Sequence, residues 1–220
     1  MDRGSGAGPR SGVQVPAGDL RRPDPDVRVM ELRAKSPYVG GMGRSGEVTG
    51  YRNDGVQTAV ALVNAGDATP GELAELLVSY KFKVDRPLTG EEARTLRAWA
   101  RDLRPVFAET ALERVVDVLN ALMLSVPMHP HLSDHGLGPH LHYGPPGAPL
   151  VDRVRANTAV GLAFVVCERG ADRLGVCLAR GCDRVYADVS RGPRRQYCSK
   201  TCLNRATVAA HRSRKAAPPT

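Results

Sequence analysis

Four cysteines near the end of the chain have the residue type and the spacing of a metal site. Cys177, Cys182, Cys198 and Cys202 follow the pattern C-x4-C-x15-C-x3-C. Two close pairs of thiolates are typical ligands of zinc, which takes four of them tetrahedrally and then has no open position for water or substrate. The spacing therefore predicts one structural Zn²⁺ ion that folds a small module and takes no part in catalysis.

Disulfides and buried apolar fillers are the alternative interpretations of these thiols. The stretch that holds them is short and polar, and disulfides are rare in a reducing compartment, so both alternatives fit less well than zinc. The fifth cysteine, Cys167, ends an apolar run over residues 163–167. We expect its small side chain to be buried, as most unpaired cysteines are.

The basic charge of the chain is concentrated around the four thiols. Residues 173–220 hold 11 Lys and Arg against two Asp and Glu, whereas residues 1–172 hold 20 against 21, and the whole chain has a formal net charge of +8. A dense basic face on a metal-folded module is typical of proteins that bind nucleic acid. The charge pattern therefore predicts DNA as a partner.

A helix after the last cysteine pair would carry much of this charge. Ser199 is a good N-cap, and no Pro or Gly follows between residues 200 and 214, so we expect a helix that begins at the metal. Helical periodicity gathers long polar side chains on one side of it, as in helices that read the major groove. The residues predicted to contact DNA are Arg191, Arg194, Arg195, Lys200, Asn204, Arg205, His211, Arg212, Arg214 and Lys215. A solvated basic helix with phosphate contacts alone, or a tail serving solubility, is the alternative.

The finger segment resembles a known family. Residues 198–205 read CSKTCLNR, and Cys202-Leu203-Asn204-Arg205 is similar to the Cys-Gly-Asn-Arg tetrad of the CGNR zinc finger, with leucine in place of glycine. Residues 188–191, DVSR, also match that family's pattern. Residues 173–177 and 184–188 are short and β-prone, which predicts two strands and a treble-clef-like or ribbon-like finger. The resemblance implies a bacterial DNA-binding protein. Residues 56–64 and the histidine-rich segment are similar to the ABATE domain, which implies a stress-induced transcription regulator.

Five of the six histidines fall between His129 and His142. His140-Leu-His142 alternates, so in a strand both imidazoles face the same side. These two residues are candidates for a second metal site or for binding a small-molecule effector, and hydrogen-bonded polar residues of a hairpin are the alternative. An enzyme built on this segment would need an open metal position and a general base. The sequence supplies neither, so we expect no catalysis.

Composition and periodicity predict an α+β fold with a mainly helical N-terminal domain and a small zinc finger. We divide the chain into a disordered extension (1–52), a helical ABATE-like domain with the histidine-rich hairpin (53–172), the finger (173–215) and a tail (216–220). We expect helices over 56–65 and 71–80, one opened by a capping box at Thr89, a long one restarted by Pro105, and one after Pro146.

Together these features predict a transcription regulator whose finger binds DNA and whose helical domain senses a signal or forms a homodimer. No apolar run is long enough to cross a membrane, and the first residues lack the layout of a secretory signal, so we expect a cytoplasmic protein. An adaptor whose finger binds protein or RNA is the main alternative. A metal or small-ligand enzyme using the histidines is the third.

Overall fold

The computed structural model describes residues 51–134, 139–190 and 195–216. Within these residues, four helices come first, and a short antiparallel hairpin, a long helix, a second short hairpin and a final helix follow, which confirms the α+β class. The elements are α1 (Tyr51–Ala65), α2 (Pro70–Ser79), α3 (Gly90–Ala108), α4 (Leu112–Leu124), β1 (His131–Ser133), β2 (His140–His142), α5 (Leu150–Arg169), a 3₁₀ turn (Ala171–Arg173), β3 (Leu174–Val176), β4 (Val185–Ala187) and α6 (Lys200–Ala216).

Local sequence signals set where the early helices begin. The predicted capping box at Thr89 is confirmed: its hydroxyl accepts from the Glu92 amide at 3.1 Å, and the Glu92 carboxylate accepts from the Thr89 amide at 2.9 Å. Thr69 and Glu72 form the same motif at the start of α2. Each box satisfies amide groups that the first turn of a helix would otherwise leave unpaired.

The prediction that Pro105 opens a new helix is wrong. Pro105 lies inside α3, which continues through the buried Val106 and Phe107 to Ala108. Burial of these two side chains offsets the hydrogen bond that a proline cannot donate. The break comes at Glu109, whose carboxylate accepts from the amides of Thr110 at 2.8 Å and Ala111 at 3.0 Å.

Helices α1 and α5 lie so close that their backbones touch. A Cβ atom on Gly161 of α5 would lie 2.8 Å from the carbonyl carbon of Gly55 and from the amide nitrogen of Val56, both in α1. Real side chains do not tolerate such contacts, so only glycine fits at this crossing. The pair forms the centre of the helical part.

Two buried clusters form around this pair. One contains side chains of α1, α3, α4 and α5 together with Leu174, Val185 and Ala187 of the β3–β4 hairpin. Inside it, the Trp99 indole donates to the Thr158 hydroxyl at 2.9 Å. The second cluster joins α2 to the other faces of α1, α3 and α5 through residues such as Leu73, Leu77 and Leu96. The strands that precede and follow the first cysteine pair are therefore part of the main core.

Some predictions fall on other parts of the chain. The predicted extension over residues 1–52 lies, up to residue 50, outside the described residues, and α1 already begins at Tyr51. The strands expected over 173–177 and 184–188 are observed as β3 and β4, and His140-Leu-His142 is β2. Among the described helices, none combines the length and the apolar character needed to cross a bilayer.

Candidate metal centre and basic helix

The four cysteines come from three short pieces of backbone. Cys177 directly follows β3, and Cys182 closes a tight turn in which its amide donates to the Ala179 carbonyl at 2.9 Å. Gly181 has φ of +70° in this turn, a conformation that favours glycine. Cys198 precedes α6, and Cys202 lies in its first turn.

Ser199 fixes the second cysteine pair, Cys198 and Cys202, relative to α6, because its hydroxyl accepts from the Cys202 amide at 3.2 Å. This is the N-cap that the sequence predicts.

The sulfur atoms are arranged as a tetrahedral metal site would hold them. The four ligand atoms lie within 4.8 Å of one another. The Sγ–Sγ distances are 3.7 Å for Cys182 and Cys198, 3.6 Å for Cys198 and Cys202, and 3.8 Å for Cys202 and Cys182. Four sulfurs at the Zn–S bond length of about 2.3 Å in a tetrahedron would lie about 3.8 Å apart. None of the cysteines is in a disulfide.

The thiols also differ in how readily they ionise. Burial opposes ionisation of Cys177, but hydrogen bonds from the backbone of Cys198 and Ala179 and from neighbouring thiols outweigh it, so its pKa falls to about 7. Burial and hydrogen bonds with Cys202, Cys177 and Cys182 raise the pKa of Cys198 to about 12. Of these two thiols, Cys177 therefore ionises more readily near neutral pH, and a metal must displace the proton of Cys198 to bind its sulfur.

Arg195 and Asp188 brace the backbone around this cluster. The Arg195 guanidinium donates to the carbonyls of Ala187 at 3.3 Å and of Tyr197 at 3.1 Å, and also to the Cys198 carbonyl. Asp188 is 5% exposed, and its carboxylate accepts from the amides of Ser190 at 3.0 Å and of Arg195 at 3.2 Å. These contacts give Arg195 a structural role inside the module.

Helix α6 extends away from the cysteine cluster and is exposed along most of its described length. From Leu203 to Arg212 every side chain is exposed except that of Ala206, which is half-buried. The helix contains five Lys and Arg and no acidic residue. Such a helix is held to the protein through its metal-binding end, and its length is open to a partner.

Residues 173–215 match the family model of the CGNR zinc finger. This match covers the four cysteines, β3, β4 and all but the end of α6, and it confirms the predicted resemblance for this part of the chain. The resemblance of the N-terminal part to the ABATE domain stays a prediction. No curated protein was found to match the chain.

The outer edge of the CGNR finger hairpin is covered by a side chain from α1. The Cys177 amide donates to the Arg184 carbonyl at 2.8 Å. In an antiparallel pair of strands, hydrogen-bonded and non-hydrogen-bonded residue pairs alternate, so the next pair, Val176 and Val185, is not hydrogen-bonded. The backbone groups of Val185 therefore point away from β3. The Asn64 side chain accepts from the Val185 amide at 2.8 Å and donates to its carbonyl at 2.9 Å. The side-chain amide of Asn64 thus pairs with the backbone of β4 as a neighbouring strand would.

A cleft of about 310 Å³ lies between α1, β4 and the start of α6. Arg184, Arg195 and Arg205 are among its lining residues, together with Tyr186, whose ring lies 5.7 Å from the Arg195 guanidinium. Sequence reasoning missed this cleft and missed Asn64, because no spacing rule connects residue 64 to residue 185.

The structure places the predicted DNA-contacting residues in different situations. Lys200, Asn204, His211 and Arg212 are exposed on α6. Arg205 is also exposed, but its guanidinium donates to the Cys202 sulfur at 3.6 Å. Arg191 and Arg194 lie outside the described residues, and Arg214 and Lys215 are described only as part of the helix. Arg195 is engaged with carbonyls of the finger.

Two further predictions concern residues outside the finger. His140 and His142 are half-buried on β2, and their Nε2 atoms lie 3.0 Å apart. Cys167 is exposed near the end of α5, so the expectation that it is buried is wrong. The apolar run that contains it is helical, and only one face of that helix packs into the core.

Proposed function

We propose that this protein is a cytoplasmic DNA-binding transcription regulator, in which one structural Zn²⁺ ion fixes α6 at its N-terminal end and α6 lies against DNA. The helical part would sense a signal or form a homodimer. The observation that carries the proposal is a basic helix without acidic residues, exposed along most of its length and anchored at a four-cysteine cluster.

Zinc is the metal that suits the donor set. The sulfurs of Cys182, Cys198 and Cys202 lie 3.6 to 3.8 Å apart, and the Cys177 sulfur lies within 4.8 Å of them, an arrangement that fits a closed tetrahedral zinc site. When bound, the ion would hold the two cysteine pairs and the start of α6 in fixed relative positions. The two nearby guanidiniums, Arg195 and Arg205, would partly balance the negative charge that four thiolates retain around a divalent ion.

The positions of the side chains on α6 suggest a division of roles. Asn204 is exposed on the helix close to the metal-binding end, where its backbone is held in place, so it is our candidate for base contact. Lys200 and Arg212 suit phosphates, because they are exposed and lie far apart along the helix. Arg205 contacts the Cys202 sulfur, so we assign it first to the support of the metal site and second to DNA.

Dimerisation follows from the size of the proposed interface. A single finger with one helix buries little surface on DNA, and specific complexes of such modules commonly use two copies. The helical part is large enough to carry a dimer contact. Its role in binding an effector rests on the ABATE resemblance.

Binding of the full-length protein to duplex DNA tests the proposal. Fluorescence anisotropy should show binding that weakens with salt, and Arg212→Gln should lower the slope of log K against log salt by about one unit if Arg212 neutralises one phosphate. Arg94→Gln is the matched control, since Arg94 is exposed on α3, ten positions before Arg104, whose guanidinium donates to the Asp183 carbonyl of the finger. It removes the same charge and should leave the slope unchanged.

The same assay distinguishes the alternatives. Asn204→Ala should weaken binding to a selected sequence more than binding to random DNA, whereas Arg212→Gln should weaken both equally. Equal slopes for Arg212→Gln and Arg94→Gln would refute the phosphate contact assigned to Arg212. Tighter binding to single-stranded RNA than to any duplex would instead support the adaptor.

A further inference from the structure

The hairpin of β1 and β2 gathers three histidines on one face. The strands are antiparallel, with His131 opposite His142 and Ser133 opposite His140. Residues opposite each other, and residues two apart in one strand, point to the same side of a hairpin. The ring centroid of His142 lies 5.4 Å from that of His131 and 4.9 Å from that of His140. Three imidazoles therefore form a compact group outside the CGNR finger.

The orientation of this hairpin is the reverse of what apolar burial alone would select. Leu132 is 74% exposed and Leu141 is 36% exposed, whereas the three imidazoles on the opposite face are half-buried. A hairpin normally turns its apolar residues inward. The more buried face of this hairpin is therefore the one that carries the imidazoles.

The nitrogen positions of two of these rings, His140 and His142, suit a metal. The Nε2 atoms of His140 and His142 lie 3.0 Å apart. Two imidazole nitrogens bound to one ion at about 2.0–2.1 Å lie roughly 2.9 Å apart at a right angle and roughly 3.3 Å apart at a tetrahedral angle. The observed separation falls inside this range.

His131 is prepared as the third ligand by its own backbone. Its Nδ1 lies 3.0 Å from the His129 carbonyl oxygen, and because a carbonyl only accepts hydrogen bonds, Nδ1 carries the proton. Its Nε2 then holds a lone pair. Histidines that bind metals commonly donate their other ring N–H to a carbonyl in this way, which fixes the ring and raises its basicity.

We propose that the β1–β2 hairpin binds one divalent transition-metal ion through the Nε2 atoms of His131, His140 and His142. Imidazole ligands suit Zn²⁺, Ni²⁺ and Cu²⁺. Three protein ligands leave at least one coordination position for water or a small anion. This site is separate from the four-cysteine cluster, and it does not depend on whether the protein binds DNA.

The test uses full-length protein freed of any affinity tag and carrying zinc in its finger. Calorimetric titration with Ni²⁺ should show one saturable equivalent. Three variants each remove one proposed ligand: His131→Gln, His140→Gln and His142→Gln. Each should weaken Ni²⁺ binding on the order of 10- to 100-fold or more, because loss of a residue that only hydrogen-bonds a metal ligand already costs that much. His129→Gln is the matched control: this exposed histidine lies in the same segment, and its contact with His131 uses only its backbone carbonyl. It should bind Ni²⁺ as the unaltered protein does.

Two results would overturn the site: no saturable Ni²⁺ equivalent in the unaltered protein, or an affinity in any of the three variants equal to that of His129→Gln. A measurement without mutation covers variants that fold poorly. Added Zn²⁺ should shift the side-chain ¹⁵N resonances of the three rings together and leave that of His129 in place. Unshifted rings at saturating Zn²⁺ would refute the proposal independently.

Discussion

Replacing Asn64 with alanine should loosen the attachment of the finger hairpin to the helical part. The change removes two hydrogen bonds, of 2.8 Å and 2.9 Å, to the backbone of Val185. Val185 is 1% exposed, so its amide and carbonyl would lose partners in a place that water reaches poorly. Each of these hydrogen bonds contributes about 1 to 1.5 kcal/mol, and alanine recovers about 0.5 kcal/mol through its better helix propensity.

The expected net loss is thus about 2 kcal/mol in the free energy of unfolding, which corresponds to a fall of about 4–8 °C in Tm for a folded part of this size. Urea unfolding of zinc-loaded protein, followed by circular dichroism, measures it. Asn120→Ala in α4 is the matched control, because Asn120 is exposed on a helix and the same change there should stabilise slightly or have no effect.

A second variant separates the hydrogen bonds from the volume of the side chain. Asn64→Asp keeps the size and the acceptor for the Val185 amide, but it cannot donate to the Val185 carbonyl and places a negative charge beside it. It should also be destabilising. The free energies of unfolding of Asn64→Ala and Asn120→Ala are then compared, each relative to the unaltered protein. If the two changes agree within about 0.5 kcal/mol, which is less than the net contribution of one hydrogen bond, the pairing with β4 contributes nothing and the reasoning is wrong.

Three further outcomes follow from the packing, the charges and the thiols. Gly161→Ala should lower the free energy of unfolding in urea by about 1–3 kcal/mol, because its Cβ would meet the α1 backbone at 2.8 Å. Gly71→Ala is its control: a Cβ there has nothing within 4 Å, so the free energy of unfolding should change by less than about 1 kcal/mol. Hydrogen bonds from Arg86 and the Thr89 amide lower the pKa of Glu92 from 4.5 to about 2. The stability this depression supplies is present above pH 4.5 and is lost as the pH falls towards 2, so Glu92→Gln should reduce the pH dependence of Tm across that window. A colorimetric thiol reagent should titrate one thiol, the exposed Cys167, in zinc-loaded protein and all five after chelation; rapid reaction of every thiol before chelation would contradict a closed metal site.

The local parts of this molecule could be predicted from the sequence because their signals are local. The cysteine spacing identified the cluster, Thr89 and Glu92 marked a helix start, and the His-x-His alternation indicated a strand. Pro105 was misleading because the cost of a proline inside a helix was offset by the burial of Val106 and Phe107, a tertiary effect that no local pattern contains.

The contacts that join distant parts of the chain could not be predicted. Asn64 and Val185 are separated by 121 positions, and no spacing rule connects them. Its charge alone predicts Arg195 as a DNA contact, yet its three carbonyl partners come together only once the loop has folded around the cysteines. Burial of Cys167 was expected from composition, which cannot tell which face of a helix a residue will occupy.

The sharing of one core by the β3–β4 hairpin and the helices bears on how this protein can be cut and recombined. A chimera joined at residue 172 would transfer the four cysteines and α6, but it would expose Leu174, Val185 and Ala187, which are buried here with side chains of α1, α3 and α5. It would also leave the outer edge of β4 without Asn64 and open to pairing with other strands. We therefore expect the isolated finger to aggregate even when saturated with zinc. If the protein binds DNA as proposed, exchange of specificity between related proteins should succeed only when α6 alone is replaced.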